Sequence, residues 1–143
     1  MKISKDTSEK PSTSSRVTVG SIARMPVPTV NGSESVSEIA SLMVNGNIGA
    51  VIVMRDNEPL GIVTEKDLVR RVIYLERDPR EIVAQEIMTA PLITISYDRT
   101  IEEALEIMQH NHVRRLVVLK GESAVGLLTE RRLLSAKLPY EPK

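Results

Sequence analysis

Gly61-Ile62-Val63-Thr64-Glu65-Lys66-Asp67 returns later in the chain as Gly126-Leu127-Leu128-Thr129-Glu130-Arg131-Arg132, at an offset of 65 residues. Applied without a gap, the same offset pairs Ile22 with Ile87, Pro26 with Pro91, Thr29 with Thr94, Glu38 with Glu103, Met43 with Met108, Val53 with Val118 and Leu68 with Leu133. Conservative matches fill the spaces, such as Val36 with Ile101 and Val51 with Leu116. A chance motif does not hold its register over so much chain, so the sequence contains an internal duplication. Two copies are too few for an open solenoid, which needs about three or more repeats. The expected arrangement is a pair of units that bury apolar faces against each other, with equivalent clefts about a pseudo-twofold axis.

Each copy has the same order of elements. Val27 to Val30 and Leu92 to Ile95 read as short strands just after a proline, whose missing N–H is harmless at a strand start. Ser33 or Ser35 can cap a helix carrying Val36, Ile39, Ala40, Met43 and Val44 at helical spacing, and a helix from Thr100 repeats the pattern with Ile101, Ala104, Leu105 and Met108. Asn45-Gly46-Asn47 and His110-Asn111-His112 stand where those helices stop. Two strands joined by a tight polar turn follow in each copy, at Ala50 to Met54 and Leu60 to Val63, then at Leu116 to Leu119 and Val125 to Leu128. A second helix closes each copy, from about Glu65 to Tyr74 and from Glu130 to Ala136. The fold class is α/β in layers: strand, helix, strand, strand, helix, twice over. A tail over residues 1–16, one domain over 17–77 and a second over 78–143 are the expected divisions, with Glu76 to Arg80 as the link.

The totals narrow the function. Lys plus Arg and Asp plus Glu number 19 each among 143 residues, which removes the bulk electrostatic drive toward nucleic acid. Aromatic residues are 2%, so the stacking platforms of single-strand binders are nearly missing. There is no cysteine, hence no disulfide framework and no thiolate zinc site. No apolar run is long enough to cross a bilayer and Met1 to Arg16 has no signal-peptide core, which together predict a cytoplasmic protein. Ser-His-Asp sets, P-loops and clustered carboxylates at metal spacing are absent, so catalytic residues are none and an enzyme is not expected. His110 and His112 have no evident third ligand, so no metal site is expected either.

The repeat length, the β-α-β-β-α order and the ending Gly61-Ile62-Val63-Thr64-Glu65-Lys66-Asp67 resemble the CBS domain, named from cystathionine beta-synthase. Val113-Arg114-Arg115-Leu116-Val117-Val118 is similar to that family's second-strand motif, in which a basic pair precedes an apolar run. The resemblance runs from Val17 to Leu138. It implies a stand-alone regulatory module that commonly forms homodimers and binds adenosine-containing ligands: AMP, ADP, ATP or S-adenosylmethionine. No cofactor is required in this reading; the partners are the adenine nucleotide, a second copy and an unidentified regulated protein.

The resemblance places the ligand beside Thr64, Lys66 and Asp67, with Asp67 accepting from both ribose hydroxyls. A hydroxyl and free N–H groups at a strand-to-helix junction suit a phosphate. The opposing wall by the family's pattern is Leu92 and Ile93, offering backbone to the base, with Arg114, Arg115 and Arg131 approaching the phosphates through bidentate forks. The second cleft, built on Thr129 and Arg132 with Pro28, Gly49 and Ala50 opposite, has an arginine where the ribose acceptor should be and no basic pair facing it. It is expected to be weak or empty. Thr64 to Asp67 also reads as a plain helix start, Thr at the cap and an acid at the third position. Two rival functions follow from that: a ligand-free interaction scaffold and a nucleic-acid binder using the arginine cluster.

Overall fold

The computed structural model describes residues 17–137. The tail read over residues 1–16 lies outside the described residues. In chain order the elements are α1 (Val19–Ile22), β1 (Thr29–Asn31), α2 (Val36–Gly46), β2 (Ala50–Arg55), β3 (Glu58–Thr64), α3 (Glu65–Leu68) with a π-helical turn over Val69–Ile73, α4 (Ala84–Ile87), β4 (Thr94–Ser96), α5 (Ile101–Asn111), β5 (Arg115–Lys120), β6 (Ser123–Thr129) and α6 (Glu130–Lys137). They form a mixed α/β fold with two three-stranded sheets, ordered β1-β2-β3 and β4-β5-β6. No helix among the described residues is long and apolar enough to cross a membrane.

The duplication is visible in the registers. β1 runs parallel to β2, and β2 antiparallel to β3. β4, β5 and β6 repeat this, down to a bulge between Val118 and Leu119 that answers the one between Val53 and Met54. The first strands begin later than the prolines suggested. Pro28 and Ile93 contribute only carbonyls, which accept from Ile52 N–H (2.9 Å) and Val117 N–H (3.0 Å), and the ladder starts beyond them. β2 and β5 are the central strands. Val51, Ile52 and Val53 are fully buried and Leu116, Val117 and Val118 almost so, as befits β-branched and apolar runs covered on both faces.

The helix ends follow local chemistry. Ser35, not Ser33, caps α2 by accepting from Glu38 N–H (3.1 Å), while the Ser33 hydroxyl donates to the Asn31 side chain (2.7 Å). Thr100 and Glu103 close a reciprocal capping box on α5. Both helices stop on a left-handed residue, Asn47 at φ 53° and His112 at φ 54°. Met43 and Met108 occupy equivalent core positions.

Two compact units divide the described chain: residues 27–92, and residues 17–26 with 93–137. In the first, the stretch that follows the π-helical turn comes back along its own sheet. Within that stretch Arg80 donates to Asp78, which holds the Asp78 carboxyl below its ordinary range. Val36 N–H donates to Ile82 O (2.9 Å), Ala84 N–H to Glu34 O (2.9 Å), and Ile62 and Thr89 exchange a pair of backbone bonds at 2.8 and 3.0 Å. Ile82, Ala84 and Ile87 thereby join the core made by Val30, Val36, Ile39, Met43, Val51, Val53, Val63 and Val72. The second unit closes in the same way around residues 17–26. Arg24 and Leu127 exchange bonds at 2.9 and 3.0 Å, and Val19 and Ala23 pack with Ile95, Ile101, Met108, Leu116, Leu128 and Leu133.

Gly61 and Gly126 are where these returning segments cross a strand. A Cβ on Gly61 would lie 2.7 Å from Met88 Sδ and 2.8 Å from Thr89 O; on Gly126 it would lie 2.6 Å from Met25 Cγ and 3.1 Å from Arg24 O. Close backbone approach therefore explains both glycines without any ligand. Leu68 is partly buried against the core, while Val69, Ile73, Tyr74 and Leu75 are exposed.

Candidate functional site

Asp67 is the single buried charged residue among those described, 7% exposed. Burying a carboxylate is tolerable only where donors surround it, and this one is encircled. Thr64 N–H donates to Oδ2 at 2.8 Å and the Thr64 hydroxyl to the same oxygen at 3.1 Å, while Asp67 N–H donates back to that hydroxyl at 3.3 Å. That is a complete capping box on α3. The second oxygen, Oδ1, accepts from the Thr89 hydroxyl at 3.2 Å and faces Arg71 Nε at 3.8 Å. Arg71 in turn donates through Nη1 to Met88 O (3.0 Å) and Ile87 O (3.3 Å), the carbonyls that end α4. A cation at a helix C-terminus complements the partial negative charge there.

Thr89 and Arg71 were not found in the sequence. Arg71 left a signal, because a carboxylate and an arginine four apart are helix-surface neighbours. Thr89 left none, since it lies 22 residues from Asp67 and reaches it only through the returning segment.

The remaining candidates divide between the units. With Asp67 in the unit of residues 27–92 are Thr64, Lys66, Leu92, Pro28, Gly49 and Ala50. Gly49 O accepts from Glu65 N–H (3.1 Å) and Ala50 pairs across the ladder with Thr64, so both lie at the start of α3; Lys66 is exposed. Ile93, Arg114, Arg115, Thr129, Arg131 and Arg132 belong to the other unit. There Arg115 pairs with Thr129 in the ladder, and Arg114 O accepts from Glu130 N–H (2.9 Å). The Arg114 guanidinium is exposed and lies 3.8 Å from Glu130. Arg115 Nε is buried and has no hydrogen-bond partner among the described residues. Arg131 is exposed.

Arg132, which takes the place of Asp67 in the second copy, does different work. Its N–H donates to the Thr129 hydroxyl (3.2 Å), keeping half of the cap, and its Nε donates to Ile22 O, the carbonyl that ends α1. Chemically, the two helix starts are an acceptor and a donor. Asp67 can hold hydroxyls; Arg132 cannot. Among the described residues no group of three or more His, Asp or Glu side chains could hold a metal ion.

The model of the CBS domain matches residues 19–74 and 83–138. An uncharacterized protein of Methanopyrus kandleri is 36% identical over 126 residues, covering 87% of this chain and 64% of that relative. The chain therefore spans less than two thirds of the relative's length. Among solved structures, Hypoxic Response Protein I with two coordinated zinc ions is similar at a TM-score of 0.73 and 27% identity, over 86% of this chain and 100% of that one. A hexameric CBS-CP12 protein from bloom-forming cyanobacteria is similar at a TM-score of 0.76 and 26% identity, over 82% of this chain and 66% of that one. With both copies of its repeat matched and the same fold in these neighbours, the chain belongs to the CBS-domain family as a tandem pair.

Proposed function

We propose that this CBS pair is a regulatory module that binds an adenine nucleotide beside Asp67 and passes the signal to a second copy. The observation that carries the proposal is the asymmetry at one repeat position. A buried carboxylate stands at the start of α3, where a ribose needs an acceptor, and an arginine stands at the start of α6. One nucleotide per chain follows. By the family's pattern the phosphate donors are Arg114, Arg115 and Arg131. For the second copy, the exposed side chains of Val69, Ile73, Tyr74 and Leu75 offer apolar surface, with Ile73 67% and Tyr74 79% exposed.

A second reading has its own support. Every oxygen of Asp67 already has a donor within the chain, which is what a purely structural cap in a ligand-free scaffold would show. Thermal unfolding with AMP, ADP, ATP and S-adenosylmethionine decides between them, because a ligand of the folded state raises the midpoint by mass action. The variant to set alongside is Asp67→Asn, which keeps an oxygen for the Thr64 cap while losing the charge. A rise with one adenosine ligand in the parent protein, reduced in the variant, establishes the nucleotide reading. No rise with any of the four leaves the scaffold.

A further inference from the structure

Asp67 Oδ2 is committed to the helix start, which leaves Oδ1 as the oxygen a ligand hydroxyl must use. That oxygen is held by the hydroxyl of Thr89 at 3.2 Å. Thr89 is itself exposed, so the contact lies at the edge of the site where a ligand arrives. Its backbone is anchored independently: Ile62 and Thr89 exchange two main-chain bonds, and Arg71 grips the carbonyls of Met88 and Ile87 just before it. A rotation about one side-chain bond therefore frees Oδ1 without detaching the segment.

From this arrangement we infer that Thr89 is a built-in competitor of the ligand, its hydroxyl occupying the Asp67 oxygen that a ribose hydroxyl takes. The inference rests on the nucleotide reading above. Its physics is an exchange of one hydroxyl for another on the same acceptor. Such an exchange costs the ligand about one ordinary hydrogen bond, roughly a two- to tenfold loss of affinity. A diol can recover that loss by placing two hydroxyls on Oδ1, whereas a ligand with none has nothing to exchange for Thr89. The residue thus sets a threshold and a chemical preference together, favouring ligands that bring a vicinal diol.

The test is calorimetric titration of the full chain and of Thr89→Val with AMP, ADP, ATP and S-adenosylmethionine, followed by the 2′,3′-dideoxy form of whichever nucleotide binds. Valine keeps the shape of threonine and puts a methyl in place of the hydroxyl. Thr89→Ser, which retains the hydroxyl, is the control for packing. The expected result is tighter binding by Thr89→Val, roughly two- to tenfold, parent-like affinity in Thr89→Ser, and no gain for the dideoxy ligand. Binding by Thr89→Val alone, with none by the parent chain, would support the inference in its strongest form. Equal or weaker binding by Thr89→Val than by the parent overturns it while leaving the nucleotide reading intact, and so does a gain that the dideoxy ligand shares. No binding by either protein overturns the nucleotide reading, and the inference with it.

Discussion

The two repeats build the same scaffold and solve one shared problem from different positions. Each unit must satisfy the carbonyl that ends a short incoming helix, α4 at Ile87 in one and α1 at Ile22 in the other. In the unit of residues 27–92 the donor is Arg71, which comes from the π-helical turn after α3. In the other unit it is Arg132, which comes from the third position of a regular α6. Moving the arginine along the helix changes what else can sit at its N-terminal turn. Where the cation comes later, the earlier position holds an acid, and a buried carboxylate results. Where the cation takes the earlier position, the carboxylate is gone. Like scaffolds with unlike chemistry thus follow from the placement of one guanidinium.

The comparison can be broken most forcefully at the crossing glycines. Gly61→Ala drives a methyl against the Thr89 carbonyl, which is backbone and tied into a two-bond pair, so it should cost about 1–3 kcal/mol. Gly126→Ala meets chiefly the side chain of Met25, which is half-exposed and free to swing, and should cost less than its counterpart. Urea unfolding of the two variants checks this; equal losses would mean that the two crossings are equally rigid.

A middle-sized effect separates the third helix positions. Asp67→Ala removes the cap acceptor of α3 and the partner of Thr89 together, a loss of about 1–3 kcal/mol. Arg132→Ala gives up one exposed contact to a helix end, about 0.3–1 kcal/mol. Melting curves in which Arg132→Ala is the worse variant would contradict the reading of Asp67 as the more deeply embedded residue.

The smallest effect belongs to a contact present in one repeat only. Lys120 stacks its ammonium 5.1 Å from the centre of the Tyr97 ring. The equivalents in the first repeat are Arg55 and Gly32, so no ring is available there. Lys120→Ala should cost about 0.5 kcal/mol, and Arg55→Ala should be close to neutral in the same melts.

Much of this was legible in the sequence, for reasons that particular residues make clear. The 65-residue offset carried the element order, because Val53 and Val118, or Met43 and Met108, cannot match in register unless their surroundings do. The cap formed by Thr64 and Asp67 was legible because its chemistry is local, spanning three residues. The π-helical turn was not, since Val69 to Ile73 carry ordinary helix-forming spacing and only the pull of Arg71 toward α4 accompanies the widening. The Thr89 contact was not either. Hydrogen bonds between a side chain and a distant segment leave no periodicity, and Thr89 falls in the stretch read as the start of the second domain.

The interleaving of the units also governs the order in which the protein can assemble. Residues 27–92 are continuous, so during synthesis that unit has all its parts as soon as Leu92 has emerged. The other unit must wait: its opening segment is made first, yet Ile22 meets its partner Arg132 across 110 residues. Until residues 95–133 have been made, Val19 and Ala23 have no core to enter. Closing so long a loop carries a larger entropic cost than any contact within residues 27–92 does. During synthesis Val19 and Ala23 thus stay without a core while residues 27–92 already have all of their own partners.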